Sequence, residues 1–364
     1  MDKLTEARQS IEQIDKEMAR LFVKRMGCSE QIAQYKSANG IPILDSGREK
    51  ELIAKNEEYV ENENLKPYYR HFMKSVMDIS KQYQHKLTER MRIAYSGVEG
   101  AFANIASRRI FPDGELIAYR SFKEAYNSVV KGDCDVLVMP IENSYAGEVG
   151  QAMDLMYEGD LFINGIYPLR IRQNLLGVKG SSIESIKKVL SHPQALDQCA
   201  DYIAEHDYEP VKADNTAVAA KQVAKLNDIT VAAIASKETA ELYGLTLLDH
   251  DINEDLQNTT RFAVLSRQRE EIINAREGST VILMFSVKNE AGMLAEAIGV
   301  IGKHGFSMNS LKSRPLKTLS WQYYFYTEIE GKHASEKINE MVKELSGYCE
   351  SLKILGASMD NPEL

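Results

Sequence analysis

Apolar side chains recur at helical intervals through residues 4–38, at Ile11, Ile14, Met18, Leu21, Phe22 and Ile32, with no proline and only Gly27 as a glycine. The pattern predicts one helix of roughly 50 Å at 1.5 Å per residue. A segment of about 90 residues cannot cover such a rod alone, so a second copy of the helix is the expected partner. After a loop over 37–42, a second helix opens near Asp45, and a third carries Ser80 and Gln84 on one face at i, i+4 spacing. Beyond a charged stretch at 86–92 the periodicity changes. Short apolar runs at 93–95 and 136–139 alternate with helical ones such as 121–131, which opens on a Ser121/Glu124 capping box; this predicts an open α/β sheet. After 268–278 the order becomes strand 281–285, helix 294–304, strands 306–313 and 321–329, helix 334–345 and strand 352–355, a ferredoxin-like α+β arrangement.

Charges interrupt the first apolar seam. Arg25 and Lys36 are eleven residues apart, which sets them within about 20° of one face and roughly 16 Å along the axis, close enough for both to bend toward one small anion. Arg8 lies about 25 Å from Arg25 and roughly 100° around the helix, so it can serve the same ligand only from a second chain. A solvated coiled-coil face explains any one of these charges, whereas the set points to an anion site.

Arg8, Arg25, Lys36, Asp45, Arg48, Glu49, Ser80 and Gln84, laid out on three helices within 1–88, resemble the all-helical chorismate mutases, whose domains form intertwined dimers. The resemblance implies that the partner's Arg8, with Arg25 and Arg48, holds carboxylates. Lys36 and Gln84 face the ether oxygen, Glu49 takes the hydroxyl, and Asp45 and Ser80 complete the lining. That division suits the chemistry. A concerted rearrangement of a dianion needs a compact conformer held in place and charge stabilised on the breaking ether, and arginine grips carboxylates in bidentate fashion.

Four polar motifs fall where the strands of the α/β region should end, which is where open sheets place ligands. They are Gly97-Val98-Glu99-Gly100; Pro140-Ile141-Glu142-Asn143-Ser144; Ser191-His192-Pro193-Gln194 with Gln198 one turn on; and Asn258-Thr259-Thr260-Arg261-Phe262. Singly they read as a tight turn, a turn former, a helix cap and an edge charge. In this order they resemble the prephenate dehydratase domain, two α/β lobes closing on a cleft, over 92–268. The resemblance implies Thr260 as proton donor and Asn143, Ser144, Ser191, Gln194 and Gln198 around the substrate. Arg261 would hold a substrate carboxylate. Val98, Ala101 and Tyr145 depart from the usual pattern and bear on the choice between prephenate and arogenate.

Within 279–358, Gly292-Met293-Leu294-Ala295 and the strand from Asn309 to Pro315 resemble the amino-acid-binding ACT domains of prephenate dehydratases. The resemblance implies that phenylalanine, as effector, meets Gly292, Met293, Leu294, Asn309, Leu311, Ser313 and Arg314 across a subunit interface. Lys312 stands where a glutamate is usual, and this charge reversal is expected to retune effector binding.

A net charge of −9 argues against a nucleic-acid surface, and no apolar run is long enough for a membrane span or a secretory signal. Cys28, Cys134, Cys199 and Cys349 are scattered and the seven histidines do not cluster, so reduced thiols in a cytoplasmic protein, no metal and no cofactor are expected. The expectation is a multidomain homo-dimer or larger homo-oligomer that takes chorismate through prephenate to phenylpyruvate. A non-catalytic amino-acid-responsive sensor on a helical dimeriser is the alternative, and a sensor has no need of both Thr260 and the cation set.

Overall fold

A computed structural model describes residues 3–39, 46–88, 90–268, 279–317, 321–330, 335–359 and 361–364. The chain divides into two compact units, Met1–Met91 and Arg92–Leu364.

The first unit holds α1 (Lys3–Ala38), α2 (Ser46–Glu57) and α3 (Lys66–Thr88). Its buried positions are Met26, Ser29 and Ala33 on α1 and Met73, Met77, Ser80 and Gln84 on α3. Both sets step by three or four residues, so each helix turns one stripe to the other. The N-terminal half of α1 is different. Ile11 and Ile14 remain 56% and 58% exposed, and Met18, Leu21 and Phe22 are exposed as well, so an apolar stripe is left uncovered within one chain.

The second unit begins with β1 (Arg92–Ser96), α4 (Phe102–Ile110), β2 (Glu115–Tyr119), α5 (Phe122–Lys131), β3 (Val136–Asn143), β4 (Gly147–Glu148), α6 (Gly150–Glu158) and β5 (Phe162–Arg170). At the start of α5, Ser121 Oγ accepts from the Glu124 N–H, the forward half of the expected capping box, whereas the Glu124 carboxylate reaches one residue further back and accepts from the Arg120 N–H in place of the Ser121 N–H. A second lobe follows: β6 (Asn174–Gly177), β7 (Lys188–Ser191), α7 (Pro193–Gln198), α8 (Ala200–Glu205), β8 (Glu209–Lys212), α9 (Thr216–Leu226), β9 (Val231–Ala235), α10 (Lys237–Tyr243) and β10 (Thr246–Asp249), its sheet ordered β10-β6-β9-β7-β8. The chain returns to the first lobe as β11 (Thr259–Ser266).

The two crossings between lobes run side by side. The Ile171 N–H donates to the Asn258 carbonyl at 2.8 Å, and the Ile252 N–H to the Gln173 carbonyl at 2.9 Å. The cleft therefore opens between lobes joined by a paired backbone bridge.

The remaining elements are β12 (Ser279–Ser286), α11 (Met293–Lys303), β13 (Met308–Pro315), β14 (Tyr323–Glu330), α12 (Ser335–Leu345) and β15 (Ser351–Met359). Their strands extend the first-lobe sheet into one path, β13-β14-β12-β15-β5-β11-β3-β1-β2. The splice is narrow: Gly356 of β15 pairs with Ile163 of β5, and a Cβ at 356 would lie 1.9 Å from the Ile163 carbonyl oxygen, so only glycine lets the strands meet.

Candidate active sites

In the helical unit, Arg25 Nη1 donates to Ser80 Oγ, and Ser80 Oγ donates in turn to the Val76 carbonyl at 2.8 Å. This joins α1 to α3 at a polar point among Met26, Met73 and Met77. Desolvation lowers the Arg25 pKa from its ordinary value, but the group remains a cation at neutral pH. Gln84 is buried one turn beyond Ser80, and Lys36 is partly buried near the end of α1. Arg8 is exposed on the other half of α1. Asp45 lies outside the described residues, and Arg48 and Glu49 enter only as members of α2.

The second site is a cleft of about 270 Å³ lined from one lobe by Ala101, Phe102, Asn143 and Thr260, and from the other by His192, Gln194, Gln198, Asn215 and Thr216. Asn143 ends β3 and Thr260 stands opposite it on β11. The Asn143 carboxamide is held at both ends. Its oxygen accepts from the Tyr145 and Ala146 N–H groups at 3.1 and 2.9 Å, which leaves Nδ2 to donate to Asn258 Oδ1 at 2.7 Å and to Thr260 Oγ1 at 3.0 Å.

Helix starts supply the positive character. The starts of α4, α7 and α9 reach the cleft, beside the carboxylate of Asp214; α7 and α9 are capped by His192 and Asn215, whereas Ala101, the N-cap of α4, offers no capping side chain. Uncapped N–H groups and the helix dipole favour an anion there. Among the described lining residues none is lysine or arginine.

Three residues expected in this cleft do not face it. Ser191 is fully buried and its hydroxyl donates to the Ile234 carbonyl at 2.6 Å, linking β7 to β9. Ser144 Oγ accepts from the Thr259 N–H at 3.0 Å behind the strand pair. Arg261 points to the opposite side from Thr260, because neighbours on a strand alternate faces, and it pairs there with Glu142 at 2.9 Å and Glu328 at 2.8 Å. Its guanidinium is thus engaged with carboxylates away from the cleft, where the expectation had set it against the substrate.

Conversely, the structure adds Gln173, whose Nε2 lies 3.5 Å from Gln198 Oε1, and Asn258, the second partner of Asn143. Asn258 was within a polar motif; Gln173 carried no signal beyond its place where the chain crosses between lobes.

On the C-terminal strands, Asn309, Leu311 and Ser313 occupy the exposed face of β13, and Gly292 opens α11 at φ +90° with Met293 and Leu294 packed on the core below. Arg314 does not belong with them. Its Nε donates to Asp154 Oδ1 at 3.2 Å and to Tyr324 Oη at 3.1 Å, and its guanidinium covers Gly150, where any Cβ would lie 2.6 Å from Nη2. Lys312 is likewise engaged within the chain, its Nζ donating to Glu142 Oε1.

The family model for prephenate dehydratase matches residues 93–270, and that for chorismate mutase type II matches 7–85. A bifunctional chorismate mutase/prephenate dehydratase from Enterobacter agglomerans is 31% identical, the alignment covering 96% of this chain and 94% of its own. The chain belongs to that bifunctional family. Another member, from Aquifex aeolicus, is 29% identical over 98% of both chains. Among solved structures, the prephenate dehydratase of Staphylococcus aureus is 27% identical with a TM-score of 0.65, covering 74% of this chain and all of its own. GqqA, described as a novel type of quorum quenching acylase, is 30% identical with a TM-score of 0.68, covering 74% of this chain and 98% of its own. The mutase match falls within the helical unit and the dehydratase match within the two-lobed one, so the family's two activities have separate folded bases here.

Proposed function

We propose that the helical unit converts chorismate to prephenate and that the two-lobed cleft converts prephenate to phenylpyruvate, carbon dioxide and water. The observation that carries the second step is the hydrogen bond from Asn143 Nδ2 to Thr260 Oγ1 at 3.0 Å. Because the threonine oxygen accepts there, its own proton is free to be donated into the cleft. The proton goes to the ring hydroxyl, the carbon–oxygen bond breaks, and the electron pair of the carboxylate-bearing bond enters the ring as carbon dioxide leaves. Threonine then regains one proton from solvent. A threonine hydroxyl is a weak acid, so aromatisation of the ring supplies the driving force and Asn143 supplies the aim. The uncapped start of α4 suits the side-chain carboxylate that stays on the product.

In the mutase unit, Arg25 with Ser80 and Gln84 forms one wall, and Lys36 extends it along α1. Arg8, on the far half of the helix, completes a site only from a second copy, and the uncovered apolar stripe of α1 is the surface that copy would bury. We assign 1–88 to the mutase, 92–268 to the dehydratase and 279–358 to a ferredoxin-like ACT domain. Phenylalanine is the proposed effector, bound by Gly292, Met293, Leu294, Asn309, Leu311 and Ser313. A prephenate dehydratase from Arthrobacter aurescens, similar in fold over 75% of this chain with a TM-score of 0.69, has been solved in complex with L-Phe. A cytoplasmic setting fits the four free thiols.

Incubating the purified protein with chorismate alone tests this reading. Chorismate should disappear and phenylpyruvate appear without added enzyme; loss of chorismate with no prephenate or phenylpyruvate formed would refute it.

A further inference from the structure

The two strands that carry the dehydratase residues have a second face. β3 and β11 set Thr260 opposite Asn143 and Arg261 opposite Glu142, and the register then slips so that Phe262 pairs with Pro140. A bulge of this kind re-aims neighbouring side chains. Thr260 and Asn143 line the cleft, whereas Arg261 and Glu142 line a separate cavity of about 460 Å³ on the reverse, together with Thr280 and Ser358 from the C-terminal strands.

On that reverse face the C-terminal strands grip the pair. Arg261 donates to Glu142 Oε2 at 2.9 Å and, through both Nη atoms, to Glu328 at 2.8 and 3.1 Å. Lys312 Nζ of β13 takes the other oxygen of Glu142. The Tyr326 hydroxyl donates to Glu328 Oε1 at 2.6 Å, with both residues nearly inaccessible to solvent. Two cations face two carboxylates, each with a partner; Glu328 is buried, so its contacts gain most from low polarity, while Arg261, Glu142 and Lys312 stay partly exposed. Burial opposes ionisation of Glu142, but the hydrogen bonds from Lys312 and Arg261 prevail and hold its carboxyl below the usual range.

We propose that Glu142 and Lys312 are positioning residues of the dehydratase, through which the C-terminal domain fixes the back of the β3–β11 pair and so sets the approach of Asn143 to Thr260 at its front. The inference rests on Thr260 being the proton donor. Glu142 adjoins Asn143 in the chain and Arg261 adjoins Thr260, so a shift in the rear pair is transmitted to the front pair through single peptide units. Lys312 is the useful probe, because replacing it leaves Glu142 still bonded to Arg261 and leaves no carboxylate without a cation.

The test measures prephenate turnover by full-length Lys312→Met, Lys312→Arg, Glu142→Gln, the Lys312→Met/Glu142→Gln double variant and Thr260→Ala, with chorismate rearrangement as the control for intact protein. Lys312→Met should lower the dehydratase kcat about tenfold, in line with the sensitivity of catalysis to sub-ångström misplacement. The KM for prephenate should stay within about twofold, as expected when substrate binding is untouched. Lys312→Arg should restore most of the rate, and the double variant should be no slower than Glu142→Gln alone. A kcat at the parent level in Lys312→Met, a change confined to KM, or fully additive losses would overturn the inference. If Thr260→Ala is inactive while Lys312→Met turns over like the parent, only the positioning role falls. If Thr260→Ala is itself active, the donor assignment falls and the positioning role with it.

Discussion

For Thr260 as the proposed proton donor, the question is how a hydroxyl with an ordinary alcohol's acidity would be made useful, and the neighbouring carboxamide offers an answer. Asn143 can offer Nδ2 to Thr260 only because its oxygen is occupied by two backbone N–H groups, which fixes the amide's orientation. Asn143→Ala should therefore lower dehydratase kcat by about two orders of magnitude, the range for losing one preorganised contact. Thr260→Ser should keep part of the activity, since the hydroxyl survives. Stopped assays of prephenate consumption check both, and an Asn143→Ala rate equal to the parent's would remove the carboxamide from the mechanism. Asn143 and Thr260 were legible in the sequence because each stands in a polar motif at a strand end. The destination of Arg261 was not. Its partner Glu328 lies 67 residues further along the chain, and which side of β11 it faces follows only once Thr260 is known to face the cleft. Ser191 misled for a related reason, since a serine at a strand-to-helix junction gives no sign that its hydroxyl already serves the adjacent strand.

Elements locked by local chemistry were the most readable. The helix expected over 4–38 is α1, Lys3–Ala38, and the strand expected over 281–285 lies within β12, Ser279–Ser286. The way β15 continues the first-lobe sheet has no sequence signal apart from one glycine, Gly356, within an apolar run. Gly356→Ala should push that splice apart and lower the melting temperature of the dehydratase unit by several degrees; unchanged melting would mean the strands separate freely at that point. Charge also ties these elements. Burial opposes ionisation of Asp154 too, but hydrogen bonds from Lys317, Tyr324 and Arg314 hold its carboxyl below the ordinary 3.8, as Glu142 is held below the ordinary 4.5. Both folded pKa values are depressed, so the stability they contribute is complete above the unfolded values and is lost as pH falls through the folded ones. Melting curves should show the parent losing stability below about pH 4.5, and Glu142→Gln losing less over the same interval. An identical acid response in the two proteins would contradict the linkage.

On the scale of the whole molecule, separate folded bases for the two activities mean that each can be removed alone. Arg25→Ala should abolish chorismate rearrangement, at a cost of about 3 kcal/mol in transition-state stabilisation, while added prephenate is still dehydrated. Mixing Arg8→Ala chains with Arg25→Ala chains should restore mutase activity in part, because each heterodimer regains one site with all its cations; no recovery would rule out a site shared between subunits. The most direct measurement gives Thr260→Ala protein chorismate as its only substrate and follows chorismate, prephenate and phenylpyruvate together. Chorismate should vanish at the parent rate and prephenate should accumulate in equal amount with no phenylpyruvate. Continued formation of phenylpyruvate, or loss of both conversions in a protein that still melts like the parent, would contradict two independent sites with Thr260 at the second.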